Sequence, residues 1–274
     1  MVASAFGLDY EWHDGAAPAM RPSFHSIDEA MEYTPAPVAT TRVGKHVLAM
    51  VEFFLNETRG RLPLSLTDVQ SPLNTALNLV ETSSLLVEML SRPAGVRVFL
   101  SRLADLLVDF THEQIARMRD TLVAPGHGFA SSRHFRGMGM SDDNMLMLSP
   151  VMYLDCAAES FVRAGRPFGG AVFHSCGDWS ERVDTVRQLD DLRMVDGAFS
   201  AATDPAPNSP ERFAESFTGT GVVVNARIVG NPDTIEYVVR RLWRPGMKLL
   251  VVTYCTTPEE QHDAYGRIQA VCTP

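Results

Sequence analysis

From Leu62 onward the chain repeats one pattern: a short apolar run, then a longer stretch with apolar residues at helical spacing. The runs centre near residues 64, 137, 172, 196, 223 and 250. Short apolar runs of this kind suit strands buried on both faces, and the stretches between them are long enough for crossover helices. Strands that alternate with amphipathic helices form a parallel sheet with helices on its faces. Six such strand-helix units are read over 61–274. Residues 1–60 are an irregular and helical N-terminal region of the same single domain, 1–274. There, Phe6 to Trp12 reads as a strand, and Ser26-Ile27-Asp28-Glu29 predicts a short helix with a capping box. Val38 to Asn56 predicts a helix whose inner face carries Val47, Met50, Val51, Phe54 and Leu55.

Helix starts punctuate the units. Ser149-Pro150, Ser209-Pro210, Asn231-Pro232 and Thr257-Pro258 each place a capping residue before a proline at the first helical position. The longest helix runs from Pro93 to about Met118, with Val96, Phe99, Leu100, Leu103, Leu107 and Phe110 at helical spacing. Helix is also predicted over 73–90, and segment 125–132 is a loop. No glycine-rich dinucleotide fingerprint follows the first strand, so a doubly wound nucleotide-binding domain has no support. A barrel carries its functional groups on the loops after strand ends. Asp68, Asp142, Asp143, His174, Cys176, Asn225 and Cys255 all sit where an apolar run stops.

The sharpest chemistry lies at His174-Ser175-Cys176. Side chains alternate along a strand, so an imidazole and a thiol two residues apart point the same way. A second apolar run, 247–254, also ends on a cysteine, Cys255. These residues could bind a metal, or the cysteines could be small buried hydrophobes and His174 a core histidine. Asp68, Asp142 and Asp143 could position a substrate, or they could satisfy loop N–H groups. Cys156 and Cys272 read as bystanders, and His46, His112 and His127 have no partner at ligand spacing. Met138, Met140, Met145 and Met147 read as core and pocket lining.

Charge and hydropathy exclude several partners. The formal net charge is −9, without a Lys/Arg cluster, which argues against a nucleic-acid surface. There is no run of about 18 apolar residues and no signal-peptide pattern, so a soluble, cytoplasmic protein with no membrane contact is expected. Four cysteines in such a chain should be reduced and free to bind metal.

Three stretches carry a family resemblance: Leu64-Ser65-Leu66-Thr67-Asp68-Val69-Gln70-Ser71-Pro72-Leu73, Ser141-Asp142-Asp143 with Ser149-Pro150-Val151-Met152-Tyr153, and His174-Ser175-Cys176-Gly177. They resemble the uroporphyrinogen decarboxylase superfamily, and within it the zinc-dependent, cobalamin-linked methyltransferases. The resemblance covers roughly residue 60 to the C-terminus, and the region before it more weakly. It implies a TIM-type (β/α)8 barrel lacking about two N-terminal strand-helix units. Open edges in such a barrel predict self-association into a homo-oligomer. It also implies zinc held by His174, Cys176 and Cys255, the last following Cys176 by 79 residues. Two thiolates and an imidazole favour zinc, and three protein ligands leave a fourth position open, as in catalytic sites. Asp68 and Asp142 are then catalytic candidates and Asn225 a cofactor-binding one. A methyl group would pass between a small-molecule donor or thiol acceptor and a corrinoid (cobalamin) carried by a partner protein. The alternatives are a metal-free uroporphyrinogen decarboxylase-like enzyme and a non-catalytic ligand-binding remnant. The decarboxylase's pocket tyrosine falls on Asn78.

Overall fold

The computed structural model describes residues 1–15 and 18–273. Its contacts gather into two compact units, Met1–Ala171 and Val172–Pro274. The predicted alternation is present, and the fold is α/β.

The first unit is mainly helical. It contains α1 (Ile27–Glu32), α2 (Arg42–Thr58), β1 (Leu64–Ser65), α3 (Pro72–Leu79), α4 (Thr82–Ser91), α5 (Pro93–Met118), β2 (Leu122–Val123), β3 (Met138–Ser141), α6 (Pro150–Cys156) and α7 (Ala158–Gly165). The core is built on α5. Val96, Phe99, Leu100, Leu103, Leu107 and Phe110 are at most 1% exposed, as their spacing predicted. The N-terminal stretch is fastened to this helix. Arg102 donates to the carbonyls of Met31 (2.9 Å) and Tyr33 (2.8 Å), and its guanidinium lies over the Phe6 ring.

Three expectations for this unit are corrected. Phe6 to Trp12 is not a strand: a 3-10 turn spans Val2–Phe6, and Glu11 makes only an isolated antiparallel bridge to Ala19. Phe6 instead packs with Phe24 and Tyr33, so its ring is used in a cluster rather than on a pleated face. The buried stripe of α2 is Gly44, Leu48 and Val51, while Met50 and Phe54 are exposed. This helix carries more apolar residues than one face can hold, so the period alone admits two overlapping stripes. Finally, the predicted helix over 73–90 is two helices. Val80 turns extended, and its neighbour in a parallel bridge is Phe24.

The strands of this unit converge near residue 68. β1 pairs in parallel with β2, Leu64 opposite Leu122 and Ser65 opposite Val123. Beyond β1 the chain stays extended enough for Gln70 to bridge Ser141 in parallel, with Ser141 N donating to Val69 O and Ser71 N to Ser141 O. The two-residue β2 was not read from the sequence. It lies between a helix end and a loop, too short to carry any period.

The second unit is built on parallel strands. β4 (Ala171–His174), which crosses the boundary between the units, is followed by α8 (Val183–Val186), β5 (Leu192–Ala198), α9 (Pro210–Phe217), β6 (Val223–Val229), α10 (Pro232–Leu242), β7 (Lys248–Tyr254) and α11 (Pro258–Cys272). β4, β5, β6 and β7 lie side by side in chain order. β5 to β6 to β7 are parallel, and Asp196 stands opposite Asn225, which stands opposite Leu250. The predicted caps are all made: Ser209, Asn231 and Thr257 accept from Arg212 N, Thr234 N and Glu260 N. Behind the strands, Trp179 packs edge-on against Phe173 and Phe213, with centroids 5.0 and 4.5 Å apart.

Candidate metal centre and ligand cavity

His174 is the last residue of β4, and Cys176 lies just past it. The strand stops because Gly177 turns left-handed (φ 70°). The turn is held at several points. Gly177 N donates to Asp204 (2.9 Å), Asn208 donates to Gly177 O (3.2 Å), and Trp179 N donates to Asn208 Oδ1 (2.9 Å). Cys176 is therefore a solvent-exposed thiol on a fixed loop, beside a buried imidazole. Its Sγ lies 3.4 Å from His174 Nε2.

A carboxylate fixes the other ring nitrogen. His174 Nδ1 lies 2.8 Å from Asp196 Oδ2, on the adjacent strand β5. Asp196 also accepts from Asn225 Nδ2 (2.7 Å) and from the Arg227 guanidinium (Nη2, 2.8 Å). Burial alone would raise the Asp196 pKa, but the hydrogen bond from His174 and the nearby Arg227 outweigh it and hold the carboxyl below its ordinary value. An ionised Asp196 accepts the Nδ1 proton, so Nε2 is left as the lone-pair nitrogen toward Cys176. A carboxylate behind a histidine is the usual support of a metal-binding imidazole.

The spacing also fits zinc. Bond lengths of about 2.3 Å to sulfur and about 2.0–2.1 Å to nitrogen, at a tetrahedral angle, put the two donor atoms roughly 3.6 Å apart. The observed 3.4 Å is close to that. Cys255 follows the exposed Tyr254 at the end of β7 and is half-buried. Among the described residues, the donor atoms gathered within 4.8 Å of one another include those of His174 and Cys176 but not the Cys255 sulfur. Two intervening strands, at about 4.8 Å per step, separate β4 from β7. Burial, with the nearby Glu260, raises the Cys255 thiol above its ordinary value.

In the first unit, Asp68 lines a cavity of about 1030 Å³ with Tyr10, Trp12, Arg42 and Val47. Asp142 is fully buried instead. It accepts from the hydroxyls of Ser71 (2.5 Å) and Tyr153 (2.7 Å). Burial raises its carboxyl to about 7, against the pull of those two donors. Asn225 is likewise fully buried and gives its amide to Asp196.

Sequence reasoning missed Asp196, Arg227 and Asn208. A polar residue inside an apolar run carries no sign of the neighbour it will meet across a sheet. His127, which has no partner at ligand spacing in the sequence, contacts Asp68 and Ser141.

Comparison with known proteins follows the same lines. Residues 1–123 match the family model described as Uroporphyrinogen decarboxylase (URO-D). That match includes residues 1–60, where the strand-helix reading found no regular units and the resemblance was weakest. Among curated proteins none matches the sequence. The structure is similar to that of a methyltransferase from Methanosarcina mazei, with a TM-score of 0.65 and 14% identity, covering 99% of this chain and 78% of that one. At that identity the likeness is one of fold. No helix among the described residues is long and apolar enough to cross a membrane.

Proposed function

We propose, from the match of residues 1–123 to the uroporphyrinogen decarboxylase family model, that the chain is a zinc-dependent methyltransferase of that superfamily. It moves a methyl group between a small molecule or thiol and a corrinoid carried by a partner protein, on a TIM-type barrel scaffold. The observation that carries this reading is the His174–Cys176 pair, 3.4 Å apart and backed by Asp196. His174 Nε2 and the Cys176 thiolate would be two donors to the ion, and Cys255, at the end of β7, would be the third. Zinc held by these residues would lower the pKa of a bound thiol and make a thiolate available at neutral pH. Asp196 orients His174, and Asn225 and Arg227 orient Asp196, so that Asn225 serves cofactor binding through its neighbour. Asp68 and Asp142 are the carboxylates assigned to the substrate side, Asp142 acting through Ser71 and Tyr153.

The direct test is demethylation of free methylcobalamin by 2-mercaptoethanol, followed by the change in corrinoid absorbance, with zinc and with a chelator. The zinc-loaded protein should accelerate the reaction, and His174→Ala and Cys176→Ser should abolish the acceleration. Equal rates in the wild type and both variants would refute the assignment. The match of residues 1–123 to the decarboxylase family favours a second reading, a metal-free enzyme acting on a porphyrinogen. Decarboxylation of uroporphyrinogen in the presence of chelator would establish it.

A further inference from the structure

Helix α2 is pinned on one face and open on the other. Thr41 caps it, accepting from Gly44 N (3.0 Å), and a Cβ on Gly44 would stand 1.9 Å from Val38 O. Gly44, Leu48 and Val51 are buried on that side. The opposite face leaves Met50, Phe53 and Phe54 exposed, at 42%, 57% and 42%. The two rings pack edge-on to each other, with centroids 5.7 Å apart. A cluster of large apolar side chains held in solvent on a fixed helix marks an interaction surface.

The charges on this helix run against its dipole. A helix favours acidic residues in its first turn and basic ones in its last. α2 has no acidic residue in its first turn and no basic one in its last. It carries Arg42 and Lys45 toward its N-terminus, and Glu52 and Glu57 in its C-terminal half. The ion pairs that two of them make lie at the surface: Arg42 is 3.5 Å from Asp9, and Glu52 is 3.2 Å from Arg117. Pairs of that kind add little to stability.

The order of these residues matches its own reverse. Arg42, His46, Ala49, Phe53 and Glu57 follow at steps of three or four, so they share the exposed face. Arg42 with Glu57, and Lys45 with Glu52, stand nearly evenly about Ala49. An antiparallel copy crossing at Ala49 therefore sets Lys45 against Glu52 of the second copy, and Arg42 against its Glu57. The two dipoles then oppose each other. The small side chain at the crossing lets the helix axes approach to about 8 Å. A parallel copy in register would instead set Lys45 beside Lys45 and Glu52 beside Glu52, which is repulsive.

We propose that the exposed face of α2 is a homodimer seam, in which two copies of this helix pack antiparallel about Ala49. A two-fold contact needs one patch that complements itself, and the reversed charge order of α2 supplies it. The seam stands apart from the metal centre and from the methyl-transfer reading.

The test is sedimentation velocity of the full chain over a concentration series, at low and high salt, with no added metal. The wild type should be a dimer whose dissociation constant rises with ionic strength. Phe53→Glu should make it monomeric. Lys45→Glu and Glu52→Lys each set like charges across the seam twice, and each alone should weaken the dimer by about tenfold or more. Combining the two restores opposite charges and should restore the dimer. Leu90→Glu, at a residue on α4 that is 73% exposed, should leave the dimer unchanged. A monomeric wild type would overturn the proposal. So would a dimer that survives Phe53→Glu, or a double variant as weak as the single ones. If Glu52→Lys fails to fold beside Arg117, Phe53→Glu and Lys45→Glu still decide it.

Discussion

At Asp142 the chain buries a carboxyl between two hydroxyls, with no cation beside it among the described residues. Its folded pKa of about 7 stands above the ordinary 3.8. Between those values the folded state keeps a proton that the unfolded state releases. That contribution to stability is complete below about pH 4 and is lost as pH rises through 7. It amounts to roughly 4 kcal/mol at most. In Asp142→Asn the same slope should be missing. Thermal unfolding at pH 5 and pH 8 should show the wild type losing ground to the variant as pH rises. At Asp196 the expectation is different, because this carboxylate is ionised and fixes the His174 ring. Asp196→Asn should weaken zinc binding about 10- to 100-fold with the fold intact, measured by competition with a chromophoric chelator. Residues of these two kinds were unequally legible. His174 and Cys176 stood out because they end an apolar run two positions apart. Asp196 did not, because its meaning comes from a strand 22 residues away.

At the level of elements, caps could be read most reliably. A side-chain oxygen three residues before the N–H it accepts from is a local fact, so Ser149, Ser209, Asn231 and Thr257 were identified from sequence alone. The same chemistry separates two variants that look alike. Thr257→Ala removes only the cap of α11 and should cost about 1 kcal/mol in denaturant unfolding. Ser71→Ala removes the cap of α3 and also a donor to the buried Asp142. It should cost about 1–3 kcal/mol more. Equal losses would mean that the Ser71–Asp142 bond contributes nothing. Features that depend on a distant neighbour were lost from the sequence. The inner face of α2 came out rotated, because Met50 and Phe54 are as apolar as the residues that are buried. Two-residue β2 exists only because β1 is there to pair with it.

For the whole molecule, the repeating strand-helix pattern sufficed to give the α/β class, because it follows from periodicity and from the need to cover both faces of a parallel sheet. The N-terminal 60 residues had no such period, yet they fall inside the matched family region and are fastened to α5 by Arg102. A net charge of −9 over 274 residues argues against a nucleic-acid surface. The central claim is that His174 and Cys176 hold a zinc ion, and zinc K-edge X-ray absorption on the reconstituted protein tests it most directly. The wild type should bind one zinc with nitrogen at about 2.0–2.1 Å and sulfur at about 2.3 Å. Cys176→Ser should lose one sulfur from that shell, and Cys255→Ser should lose the other. A wild-type zinc without sulfur ligands, or a Cys176→Ser spectrum identical to wild type, would contradict it.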